Sequence, residues 1–403
     1  MSDIAAQACV AGGGPAGMML GYLLARAGVD VVVLEKHGDF LRDFRGDTVH
    51  PSTLAVLHEL GLLDEFLQRP HQEVDRLAAQ IGDEVVHVAD FRRLHLPARF
   101  IALTPQWDFL DFIAEKAKAF VSFRLVMNAE VTALTRDGER FVGAVAETPH
   151  GALRVAAPLV IGCDGRHSTV RDLAGFRVED RGAPMDVLWL RLPRQGEDDG
   201  LPLGRAVAGG ILVMIPRGDY FQCGYVVRKG GAEAIKAKGI EAFRASIGAM
   251  APAMKGRTGA IASWDDVKLL TVAVDRLRAW CAPGLLCIGD AAHAMSPVGG
   301  VGINLAIQDA VATANLLHAP LRAGDVSLAD LQAVQRRREW PTKTTQAAQI
   351  FVQNRAIAPT LAGAVPKPPW PAELIDRLPV LQGLAARLLG MGVRFEHVRS
   401  PAM

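Results

Sequence analysis

Three clusters of residues in this chain have types and spacings suited to chemistry. In the first, Gly12, Gly14 and Gly17, with Pro15 and Ala16 between them, follow a short apolar run and open a stretch rich in Leu, Met and Ala. The first glycine permits a tight turn, the second lets a diphosphate approach the backbone, and the third lets helix and strand pack closely. The N–H groups at the start of the helix, and its positive end, then hold the phosphates. Glu35, followed by Lys36, ends the next apolar run eighteen residues beyond Gly17. A carboxylate there accepts from the ribose hydroxyls of an adenosine. A glycine-rich turn alone can be a packing turn. With strand, helix, strand and acid all in place, it predicts dinucleotide binding.

The second cluster is Asp164-Gly165 at the end of the apolar run 158–163, with Arg171 six residues beyond Gly165. In the third, the run 284–288 leads into Gly289-Asp290, and Pro297, Gly299, Gly300, Val301, Gly302, Ile303 and Asn304 form a glycine-rich loop. A long Ala/Leu-rich helix, roughly 302–317, follows that loop.

These last two clusters separate one dinucleotide from another. Residues 162–171, Gly-Cys-Asp-Gly-Arg-His-Ser-Thr-Val-Arg, resemble the Asp-Gly motif of the aromatic hydroxylase family of flavoprotein monooxygenases, and residues 289–304 resemble that family's Gly-Asp motif at nearly every position. The resemblance covers about the first 350 residues. It implies FAD as cofactor and a para-hydroxybenzoate hydroxylase-like fold. It places Asp290 on the ribityl hydroxyls and the N–H groups of the 297–304 loop, Pro297 at its head, toward the flavin pyrimidine, where negative charge gathers on reduction. Arg45 fits the family's arginine beside the ribityl and diphosphate groups, Gln106 a glutamine that opens a helix near them, and Val131 a backbone contact to adenine. Asp164 and Arg171 are tied to FAD and NAD(P)H handling. NAD(P)H and O2 are the implied co-substrates, with oxygen transferred from a flavin C4a-hydroperoxide to a small aromatic or phenolic substrate. His50 is the candidate for a base that deprotonates a phenol; a structural histidine is the other reading.

These residues need elements to position them. The texture between the second and third clusters changes to alternating runs, including 187–191, 210–215 and 220–227, with Pro216-Arg217-Gly218-Asp219 as a hairpin turn. The expected architecture is α/β: a discontinuous Rossmann-type FAD-binding domain (1–75, 100–180, 276–355), an inserted mostly antiparallel β-sheet substrate domain (76–99, 181–275) and a C-terminal helical tail (356–403). Met214, Phe221, Cys223 and Tyr225 are the expected substrate-pocket residues, the last three sharing one face of a strand.

Composition narrows the class. With 44 basic and 43 acidic residues, no field gathers nucleic acid. Five scattered cysteines give no disulfide framework and no CxxC metal pair, which points to a reducing, cytoplasmic setting. No signal peptide, membrane span or metal site is expected, and a homodimer is left open. Two rival functions keep the fold: a flavin reductase or halogenase-like oxidoreductase, and a non-catalytic FAD-binding regulator. The six tryptophans include no Trp-x-Trp pair, which argues against a halogenase.

Overall fold

In the computed structural model, residues 2–41, 48–198 and 201–403 are described. The central sheet has six strands in the order Cys281–Ala282, Leu285–Cys287, Val160–Gly162, Ala8–Ala11, Val31–Glu35 and Phe123–Met127, parallel except for the first pair. Its inner strands are apolar on both faces because helices cover both sides, and they are buried throughout. The helix Pro15–Arg26 packs against the long helix Gly302–Ala323. Gly28, at φ +75, ends the first helix in the left-handed conformation glycine adopts at little cost. The long helix outlasts its expected end near 317. Pro320 lies in its last turns, and Gly324, left-handed at φ 73, terminates it.

A second sheet of seven strands comprises, in order, Lys268–Leu270, Met185–Pro193, Tyr220–Arg228, Gly210–Arg217, Gly204–Val207, Arg76–Ile81 and Glu84–Asp90. All neighbours are antiparallel except Gly204–Val207 against Arg76–Ile81. One face packs on the helix Ile240–Met250 in a core of its own; the other looks toward the six-stranded sheet's loops. Beyond residue 355 come the helices Trp370–Arg377 and Pro379–Met391. The last dozen residues are not helical, a departure from the expected helical tail. They return to the first domain, where Glu396 is buried and Met403 N–H donates to the Arg26 carbonyl.

Candidate active site

One cavity of about 340 Å³ joins the three motifs. It begins at Glu35, Lys36 and Val131, passes the glycine turn and Asp164, and ends between Pro297 and the seven-stranded sheet. The turn is built by close approach. Gly12 sits at φ +102 with its missing Cβ 2.5 Å from the Cys163 carbonyl oxygen, and a Cβ on Gly17 would stand 1.9 Å from the Gly12 carbonyl oxygen. A Cβ on Gly14 would meet nothing within 4 Å, because Gly14 faces open cavity. Glu35 is fixed at the wall by accepting from Gly13 N–H at 2.8 Å and His37 N–H at 3.0 Å. A cradle with room at Gly14, a carboxylate at one end and the start of a helix behind the turn fits a dinucleotide.

The other expected cofactor residues fall into two groups. Pro15, Ala16, Gln106, Gly165, Asp290, Gly300, Gly302 and Ile303 also line the cavity. Gln106 is the first residue of the helix Gln106–Ala117. Asp164 turns back on its own strand end, accepting from Ser168 Oγ and Val170 N–H, and burial raises its carboxyl above the usual range against those bonds. Asp290 looks into the cavity with Arg166 3.6 Å away. Gly299, Val301 and Asn304 do not line it. Asn304 is a buried strut whose Oδ1 accepts from His50 N–H and Thr53 Oγ1, while its Nδ2 donates to the Thr48 and Gly300 carbonyls. Arg45 lies outside the described residues.

Three further expectations are corrected. Phe221, Cys223 and Tyr225 share one face, with Met214 of the neighbouring strand beside them, but it is the far face, packed on Phe243, Ile247 and Met250. Strand alternation fixes which residues go together, and the helix Ile240–Met250 decides which set it covers. The face toward the cavity carries Trp189, Ile215 and Leu270. Gly224, paired with Trp189, makes room for the indole: a Cβ there would stand 3.2 Å from the ring. Arg171 is buried, giving Nη2–H to the Arg166 carbonyl at 2.9 Å, and is not at the cavity wall.

His50 is 1% exposed, does not line the cavity, and gives its Nδ1–H to the Leu389 carbonyl at 3.0 Å. Burial pulls its pKa down to about 4, opposed by that hydrogen bond. It is a neutral structural histidine. Its folded pKa lies below the ordinary 6.5, so the unfolded chain takes up the proton first as pH falls. Stability is therefore full above about pH 6.5 and declines toward about pH 4. Denaturant unfolding at pH 7 and pH 4.5 should show His50→Asn relieving about 2 kcal/mol of that decline. An unchanged pH slope would show that His50 contributes nothing to it.

Several residues at the site went unforeseen. Arg166 lies inside the 162–171 motif with no role read for it there, and Thr48, Trp189 and Leu270 lie in no motif. The helix Leu328–Val352 turns Arg338, Thr342, Gln346 and Gln349 inward, all buried. The signal was present as polar residues on one helical face, but such a stripe ordinarily reads as a solvent face. Among the described residues, no group of three or more His, Cys, Asp or Glu could hold a metal ion, and no helix is long and apolar enough to cross a membrane.

Comparisons with known proteins agree with this geometry. A family model described as an FAD binding domain matches residues 5–348. The 6-methylpretetramide 4-monooxygenase of Streptomyces rimosus is 33% identical over 384 residues, which is 94% of this chain and 91% of that protein. The rifampicin monooxygenase of Streptomyces venezuelae is 27% identical over 307 residues; the match covers 75% of this chain and 61% of that longer protein. The crystal structure of p-nitrophenol 4-monooxygenase PnpA from Pseudomonas putida superposes with a TM-score of 0.75 at 22% identity, over 98% of this chain and all of that one, a likeness of fold.

Proposed function

Because the chain belongs to the FAD-dependent aromatic hydroxylase family, we propose that it is a single-component monooxygenase with FAD as resident cofactor, NAD(P)H as reductant and O2 as oxidant, which hydroxylates a small aromatic or phenolic substrate in a cytoplasmic setting. The observation that carries this reading is that the glycine turn, the Asp290 turn and the apolar sheet face open into one cavity. Relatives named as monooxygenases favour oxygen transfer over a reductase or a regulator.

Bound FAD would supply the oxygen activation, as in any flavin hydroxylase. The chain's own residues do the rest. The backbone N–H groups of Gly14, Ala16 and Gly17 would hold the diphosphate, Gly13 N–H being spent on Glu35, and Glu35 would receive the adenosine ribose. Asp290 receives the ribityl chain, with Arg166 beside it balancing its charge. Trp189, Ile215, Leu270 and Pro297 form an apolar end to the cavity that excludes water and takes a flat ring. No protein nucleophile is required.

The test is a screen of phenolic and heteroaromatic compounds for stimulated NAD(P)H oxidation, with labelled O2 and product mass as readout. Stimulated oxidation without label in any product would make the protein a reductase or oxidase instead. Trp189→Ala should raise KM for the active compound about tenfold, the loss of ~1.4 kcal/mol of ring contact, while FAD affinity stays as it was. Equal KM in both proteins would remove Trp189 from the substrate site.

A further inference from the structure

The inward stripe of the Leu328–Val352 helix continues into the π-helical turn Gln353–Ile357, so Gln346, Gln349 and Gln353 follow one another on a single face, at 1%, 5% and 0% exposure. Burying three amides is costly unless each finds partners. Each of the three has at least one partner on the segment 294–298, which leads into the glycine-rich loop. Gln346 Nε2 donates to the Asp275 and Ala294 carbonyls at 2.7 and 3.1 Å. Gln349 accepts from Ser296 N–H at 3.2 Å and donates to the Ser296 and Val298 carbonyls at 2.9 and 2.8 Å. Gln353 Nε2 reaches only the Ser296 hydroxyl, at 2.6 Å.

Gln349 therefore clasps the backbone of residue 296 as a neighbouring strand would, and draws a second carbonyl, that of Val298, to the same amide. Across a trans peptide the N–H points opposite to the C=O. With the Val298 carbonyl held on the helix, the Gly299 N–H is directed away from it. Gly299 and Gly300 then follow with φ of 80 and 63, a geometry open to glycine. An apolar side chain at 349 would fill the space and leave these dipoles unset.

We infer that Gln349 is a positioning residue: it orients the peptide dipoles of the Ser296–Gly300 segment against the bound flavin and thereby raises the flavin's reduction potential. The inference rests on reading this cavity as the FAD site. Preorganised dipoles of this kind act where charge develops, and here that charge is the reduced ring's.

The test uses the FAD-loaded protein with Gln349→Met, Gln349→Glu and Gln353→Met, measured for flavin content by absorbance, for melting temperature, and for the two-electron potential by dye equilibration. Gln349→Met keeps the volume and loses all three bonds. It should weaken the preference for reduced over oxidised flavin tenfold, a drop of about 30 mV. Gln349→Glu keeps the acceptor and loses the donors, so it should lower the potential as well, and it serves if the Met variant fails to fold. Gln353→Met should lower the melting temperature and leave the potential in place, since it releases only a hydroxyl. Gln349 variants that hold FAD at the unmutated potential would overturn the inference. So would a Gln353→Met shift of equal size, which would mark a general loosening. An unmutated protein without bound flavin would overturn the cofactor reading itself, and shows in the absorbance before any potential is measured.

Discussion

Gly14→Val should yield a folded protein that no longer holds FAD. The space beside the Gly14 Cα is open for 4 Å, so the new side chain meets no protein atom and the apo fold survives. A diphosphate seated over the turn would meet it directly, because the second glycine is where such a group comes closest to backbone. Affinity should fall at least a hundredfold, about 2.7 kcal/mol or more, with the melting temperature of the apo protein close to that of the unmutated chain. Gly17→Val should behave in the opposite way. Its Cβ would stand 1.9 Å from the Gly12 carbonyl oxygen, an overlap only backbone movement relieves, so the loss should be of fold and cofactor together. Fluorescence titration with FAD and thermal unfolding, run on both variants, separate the two roles. Tight FAD binding by Gly14→Val would mean that the diphosphate does not lie over this turn.

The contrast between these two glycines was legible in the sequence because it is local. A glycine turn between a strand and a helix, the acid at the next strand end and the Gly289-Asp290 turn are each specified within a few residues of their own positions, and neighbouring strands bring them together. The readings that failed depended on something distant. Phe221, Cys223 and Tyr225 were grouped correctly by alternation, yet which face meets the cavity is decided by where the helix Ile240–Met250 packs. His50 lies between the third motif's Asn304 and Leu389, 339 residues away, and that second contact puts it out of reach of any substrate. The C-terminal segment reads as a tail, because nothing near Glu396 announces Arg337 and Arg338 as its partners. The polar stripe at 338–353 is the clearest case. Periodicity marks a face without saying whether water or protein will satisfy it, and here buried carboxylates take Arg338 while backbone takes Gln346 and Gln349.

That stripe begins at the residue whose loss should cost the most stability. Arg338 is fully buried, with Nε on Asp309 at 2.8 Å and Nη1 on Glu396 at 3.3 Å. Asp309, also fully buried, takes His293 Nε2 at 2.6 Å and the Gly289 N–H at 3.1 Å, so the pair supports the Asp290 turn from behind. Arg338→Met should cost about 3–5 kcal/mol, since it leaves the Asp309 carboxylate buried without its guanidinium, while Glu396 keeps Arg337. The pH dependence gives the cause away. Burial works to raise the Asp309 carboxyl, but His293 and Arg338 overcome it and hold it below the usual range. With a depressed folded pKa, Asp309 stabilises the unmutated protein above the unfolded value near 3.9, and that contribution is lost only as pH falls through the folded value. Without the guanidinium, burial is opposed only by His293 and the Gly289 N–H, and the carboxyl rises. The folded variant then holds its proton longer than the unfolded chain, so its deficit should be largest near pH 8 and shrink toward pH 5. Chemical denaturation of both proteins across that range reads it directly. Arg338→Met combined with Asp309→Leu should recover part of the loss, because an apolar pair needs no counterion. A deficit flat in pH, with no recovery in the double variant, would attribute the cost to packing and leave the charge on Asp309 without a part in it.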